Sequence, residues 1–128
     1  MKSEPMKMIN KLDVLAEMSI AEVEGKFNIL FPFLNIEFFR NGESIEGNYR
    51  WKSLKDYGRK KVQEKFSIEP EMTVREMEKM FWEKMGLQVA VYRKVGKSVL
   101  ETSFTSGWTL EHQNRKGSEL QRAFASGH

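Results

Sequence analysis

Apolar positions recur along this chain with two different periods, and each change of period marks a point where a helix gives way to a strand. Ile20, Val23, Phe27, Leu30 and Phe31, and again Val74, Met77, Phe81 and Met85, follow the three-and-four spacing that gathers a stripe on one helix face. Each stripe opens on a capping-box signature, Ser19 with Glu22 and Thr73 with Glu76, in which hydroxyl and carboxylate satisfy amides that the first turn leaves unpaired. Pro32 stops the first helix because proline has no amide to donate. Gly86 stops the second by accepting the left-handed conformation past the last turn. The period then drops to two, so that Leu34, Ile36 and Phe38 share one strand face and Leu87, Val89 and Val91 share another. The spacing predicts two helix-then-strand units, over about 19–40 and 73–93, alike in residue class with one residue of slip between helix and strand: an internal repeat.

Turn chemistry supplies the connections. Lys94-Val95-Gly96-Lys97 reads as a hairpin turn returning through Ser98 to Phe104, and Asn41-Gly42 holds the matching place after the first strand. The return there, around Ser44 to Trp51, has no clean alternation. Ser53 to Phe66 reads as a further helix with Leu54, Tyr57, Val62 and Phe66 inward, weakened by Gly58. Thr109 to Phe124 reads as one short helix or a pair around Gly117, with Ala125 to His128 frayed and Met1 to Met8 a disordered start. The expected architecture is α+β: a two-layer single domain over 1–128, with a mainly antiparallel sheet of at least three strands and helices packed on it. Phe39, Ala90 and Tyr92 leave the second sheet face incompletely polar, so a cover is expected, supplied within the chain in preference to a second subunit.

Composition narrows the class. With 128 residues, 40% hydrophobic, 30% charged and only 3 Pro, the chain has the makeup of a folded protein able to bury a core. The absence of Cys excludes disulfide frameworks, thiolate zinc sites and thiol nucleophiles, and agrees with a reducing compartment. The apolar region Phe27 to Phe39 is broken by Asn28, Pro32, Asn35 and Glu37, well short of the roughly 20 residues a membrane span requires. Met1-Lys2-Ser3-Glu4-Pro5 has no secretory apolar stretch. A cytoplasmic location with no membrane partner is the expectation.

Candidate chemistry is sparse. Gly96-Lys97-Ser98 ends like a phosphate-binding loop, but Val91 stands where the motif's first glycine belongs and a strand follows, so a hairpin turn is the better reading. Dinucleotide cofactors lose their usual socket because both units run from helix to strand. His112 and His128 are the only histidines, too few for a histidine metal cluster, and Glu111 beside His112 points elsewhere on a helix. Ser103, Thr105 and Ser106 lack the glycine elbow of an activated nucleophile. Glu22, Glu24, Glu76 and Glu78 read as caps and first-turn acids favoured by the helix dipole rather than as hard-metal ligands. No catalytic residue, metal ligand or cofactor site is assigned.

Charge is more informative in its distribution than in its net value of +3. Between the two units Arg50, Lys52, Lys55, Arg59, Lys60, Lys61 and Lys65 face only Asp56 and Glu64. Trp51, Tyr57 and the outward strand residues Phe39 and Tyr92 offer stacking faces beside that charge, the combination used by binders of single-stranded nucleic acid. The competing reading is a solvated basic helix whose aromatics plug the core.

Phe81-Trp82-Glu83-Lys84-Met85-Gly86-Leu87, Tyr92-Arg93-Lys94 and Trp108-Thr109-Leu110-Glu111-His112-Gln113-Asn114 give the C-terminal third a resemblance to a group of uncharacterised bacterial proteins. The resemblance implies a bacterial cytosolic protein and brings no activity or site residue with it. Together these readings point to a non-enzymatic binding or protein-interaction module, with a protein partner or homo-oligomer preferred over nucleic acid. A nucleic-acid-binding module using the central basic segment is one alternative. The other is a small-molecule enzyme, whose mark is a deep pocket holding perturbed carboxylates.

Overall fold

In a computed structural model, which describes residues 10–95 and 98–126, capping side chains and alternating strands lay out the chain in two halves of like order. The first half is β1 (Leu12–Val14), α1 (Ile20–Leu30), β2 (Leu34–Arg40), β3 (Glu43–Ser44), a 3-10 turn (Gly47–Trp51) and α2 (Leu54–Tyr57). The second is β4 (Phe66–Ile68), α3 (Val74–Met85), β5 (Gln88–Val95), β6 (Ser98–Glu101), a 3-10 turn (Ser103–Thr105) and α4 (Leu110–Ser126). The strands form a four-stranded antiparallel sheet in the order β3-β2-β5-β6 and a separate antiparallel ribbon of β1 with β4, so the architecture is α+β with helices packed on a mainly antiparallel sheet. At the centre, β2 and β5 pair from Leu34 opposite Arg93 to Phe39 opposite Gln88.

Both long core helices start where their caps predict. The Ser19 hydroxyl accepts the Glu22 amide at 3.0 Å and the Thr73 hydroxyl accepts the Glu76 amide at 3.0 Å. The carboxylates differ. Glu76 closes the box by accepting the Thr73 amide at 3.0 Å, whereas Glu22, expected to do the same, instead pairs with Lys26 one turn on at 3.0 Å. The backbone and hydroxyl bonds to Thr73 hold the Glu76 carboxyl below its usual value of 4.5. A depressed folded-state pKa stabilises above the ordinary carboxylate range, and that contribution is lost as pH falls through the folded value. The melting-temperature gap between the native protein and Glu76→Gln is therefore expected to shrink between about pH 6 and pH 3, while a constant gap would remove this cap from the acid-labile interactions.

One contiguous cluster of buried side chains joins α1, α3 and the facing side of the sheet: Phe27, Leu34, Phe38, Met77, Phe81 and Val91 are among its members. The ribbon contributes Leu12, Val14, Phe66 and Ile68. Phe81 stands edge-on to Phe38 at 5.3 Å and to Phe66 at 4.9 Å, and Phe27 tilts against Phe31 at 5.1 Å. Gly25, midway along α1, is an open position at which an added methyl group would meet nothing within 4 Å. Gly25→Ala is expected to stabilise the protein by about 0.5–1 kcal/mol in denaturant melts, because alanine loses less backbone freedom in a helix.

The structure corrects the expected helix over Ser53 to Phe66. Only Leu54–Tyr57 is helical; Gly58 is extended with ψ 141°, Val62 is 75% exposed, and Phe66 is a ribbon strand residue opposite Val14. Leu54 and Tyr57 are buried, as their spacing required. The return from Asn41-Gly42, both at positive φ, is a strand of two residues before the 3-10 turn, and β6 likewise ends before Phe104. Thr109 just precedes a single helix, α4, that takes in Leu110 to Phe124 without a break at Gly117 and packs along β5 and the start of β2. Asn114 Oδ1 accepts the Phe33 amide at 2.8 Å, and Gly117 lies so close that a methyl group there would sit 2.8 Å from Phe33 Cβ. Phe39, Ala90 and Tyr92 are half-buried. The Gly96-Lys97 turn, Met1 to Met8 and His128 lie outside the described residues.

The start of each core helix is tied to the start of the second helix of its half by the same three amide bonds. Ile20, Leu54 and Lys55 donate to the carbonyls of Lys52, Met18 and Ala16; Val74, Leu110 and Glu111 donate to those of Trp108, Met72 and Pro70. All six bonds are 2.8–3.2 Å long.

Candidate binding surface

The C-terminal turn of α3 leaves carbonyls that need donors, and the basic segment between the halves supplies them. Gly86 ends the helix in the left-handed conformation at φ 69°. The Arg59 amide then donates to Gly86 O at 3.3 Å, Gln63 Nε2 to Met85 O at 3.2 Å and the Glu64 amide to Lys84 O at 3.1 Å. Glu64 also pairs with Lys84 at 2.9 Å. Arg59, Lys60 and Lys61 are thereby brought to the negative end of a helix dipole, a local structural reason for cations at this place. Backbones meet closely at the crossing: a methyl group on Gly86 would lie 2.8 Å from Arg59 N and 2.9 Å from Lys60 N.

From there Arg59 reaches the tip of the β2–β3 hairpin, where its guanidinium donates to Asn41 Oδ1. The neighbouring Arg40 guanidinium lies 5.7 Å over the Tyr57 ring. Tyr57 donates its hydroxyl to Tyr49 O at 2.7 Å, and burial pushes this phenol up from its ordinary value, so it stays a neutral donor. Phe39, Asn41, Arg59, Trp82 and Gln88 line a depression of about 90 Å³. Arg40, Asn41 and Tyr57 form the wall it shares with an open cleft of about 480 Å³, bordered on its far side by Glu43, Glu46 and Tyr49. Trp82, off the buried stripe of α3, is 54% exposed at one end of this groove. No protein family, curated protein or solved structure matches the chain.

The cations read from the sequence as one basic segment fall in three places. Arg50 is committed to Glu24 by an ion pair of 2.9 Å that ties the first 3-10 turn to α1, and Lys52 and Lys55 are exposed beside the start of α1. Arg59, Lys60 and Lys61 lie at the end of α3, and Lys65 precedes β4 near Asp13 of the ribbon. Trp51 is 69% exposed, whereas Tyr57 does enter the core. Phe39 borders the Trp82 depression; Tyr92 borders a different cleft of about 460 Å³ that also holds Glu24, Glu37 and Arg50. Burial raises the Glu24 pKa despite the Arg50 guanidinium, and Glu37 adds to the effect. The Glu24–Arg50 pair makes that cleft a brace between two elements.

Arg40, Asn41, Trp82 and Gln88 escaped the sequence reading, although two signals for them were visible: the Asn41-Gly42 turn, and a tryptophan standing outside an otherwise regular apolar stripe. Among the described residues no group of three His, Asp or Glu side chains is disposed to hold a metal ion, and no helix is long and apolar enough to cross a membrane.

Proposed function

We propose that this chain is a cytoplasmic, non-enzymatic binding module whose recognition surface is the groove between the β2–β3 hairpin and the end of α3. One observation carries the reading: a half-exposed tryptophan on a long helix stands beside two guanidinium groups that the fold itself holds in place, Arg59 on Asn41 and Arg40 on Tyr57. Trp, Tyr and Arg are the side chains that dominate binding energies, and groups already fixed before association lose little freedom when a ligand arrives.

We also read the two halves as a tandem duplication. The matched amide bonds at the helix starts support this, as does a further correspondence: Tyr57 bonds Tyr49 O and Gln113 Nε2 bonds Thr105 O, each at 2.7 Å. The duplication extends the unit read from the sequence back to Lys11 and Lys65, since Lys11-Leu12-Asp13-Val14 and Lys65-Phe66-Ser67-Ile68 are the two ribbon strands with their leading lysines.

The three indoles, Trp51, Trp82 and Trp108, provide the test. In amide-detected NMR titrations with random-sequence oligonucleotides and with acidic peptides, a bound ligand is expected to move the Trp82 indole signal and the Asn41 side-chain amide ahead of the other two indoles. A ligand that shifts Trp51 or Trp108 while Trp82 stays fixed would relocate the recognition surface.

A further inference from the structure

We propose, on the basis of the binding reading above, that the occupant of this groove is a single-stranded nucleic acid, with one base stacked on Trp82 and adjoining phosphates held by Arg59, Lys60 and Lys61. The indole is exposed and lies at the edge of a depression whose rim carries two side-chain amides, Asn41 and Gln88. A flat ring accepts the face of any base, and amides of this kind both donate to and accept from base edges. Arg59, Lys60 and Lys61 are exposed and make no ion pair with a carboxylate among the described residues. Two acids close by are already paired, Glu83 with Lys79 at 3.7 Å and Glu64 with Lys84 at 2.9 Å, which reduces the negative charge a phosphate would meet beside Trp82. Glu43 and Glu46 border the far cleft beyond Arg40 and repel a phosphate there, which confines the strand to the Trp82 end. An acidic peptide would use the cations and could bond the amides through its backbone, but only a base brings a flat ring for the indole with donors and acceptors on its own edge. A nucleotide uses all three.

The experiment measures anisotropy of labelled, mixed-sequence DNA and RNA single strands of about 12 nucleotides against the full chain, from about 50 to 200 mM salt. Affinity is expected to fall steeply with salt, and the log–log slope to shrink by about two in Arg59→Gln/Lys60→Gln/Lys61→Gln, since each single-strand phosphate contact contributes about 0.7. Trp82→Ala is expected to weaken binding about 5- to 150-fold with its slope unchanged, and Trp82→Phe to restore part of the loss. Lys65→Gln, on the ribbon, is expected to leave the slope as it is. Thermal melts check that each variant is folded. Binding whose salt slope responds to Lys52, Lys55 or Lys65 and not to residues 59–61 would overturn the proposal. So would an absence of oligonucleotide binding at low salt while an acidic peptide still shifts the Trp82 indole, a result that leaves the groove as the recognition surface. If neither ligand moves Trp82, the binding reading falls with it.

Discussion

Replacing Phe81 by alanine is expected to destabilise the protein by about 3–5 kcal/mol, the range for deleting a buried ring whose space cannot collapse. The ring has no exposed surface and is the meeting point of three elements, since Phe38 of β2 and Phe66 of β4 both approach it edge-on from separate sheets. Removing it opens a void bounded by both sheets. Phe27, equally buried at the corresponding position of α1, is expected to show a loss in the same range when cut to alanine. Urea melts of the two variants measure this, and a loss below about 1 kcal/mol for either would mean that the surrounding helices close over the gap.

Gly86→Ala is expected to cost about 2–4 kcal/mol, from two separable causes. A side chain in the left-handed region costs about 1 kcal/mol by itself, and the remainder comes from the overlap of the new methyl group with the Arg59 and Lys60 amides, which are backbone and move only with the whole crossing segment. Gly42→Ala isolates the first cause. Gly42 also has positive φ, at 80°, but a methyl group there meets nothing within 4 Å. The difference between the two variants in denaturant melts therefore reports the crossing alone, and equal losses would show that residues 59–60 shift aside freely. The Gly86 variant is also expected to bind less well than its stability implies, because displacing the crossing moves Arg59 away from Asn41.

The fold was legible because its main elements are long enough to show a period: the stripes of α1 and α3 and the alternation of β2 and β5 each extend over several residues. The ribbon was not, because strands of three residues, with only the outer two fully buried, carry too little pattern to separate from loop. The false helix over Ser53 to Phe66 arose because Val62 follows Leu54 by eight residues and Phe66 follows Val62 by four, helical spacings that occur here by accident. In the folded chain the carbonyls at the end of α3 claim the amides of Arg59 and Glu64, and that long-range demand outweighs local propensity. The groove was illegible for a related reason. Its walls come from Arg40–Asn41, Tyr57–Arg59 and Trp82–Gln88, stretches brought together only by that crossing, whereas charge counting along the chain grouped Arg50 and Lys65 with residues that lie elsewhere.

The unequal lengths of the two closing helices, 4 residues in α2 and 17 in α4, bear on how many ligands the proposed module would hold. The long helix reaches the turn that follows α1, where Asn114 and Gly117 close on Phe33, and Asn28, at the offset from its cap that Trp82 has in α3, is turned to the Leu34 carbonyl at 3.0 Å. The short helix stops before reaching the end of α3 and leaves that corner to the crossing segment. Two halves of like element order are thus closed differently, and on the proposed reading titration calorimetry is expected to give one ligand per chain. A strand lying in that corner has a defined polarity relative to the sheet, so two such chains side by side would read in a fixed direction, something a truly symmetric pair of sites cannot do.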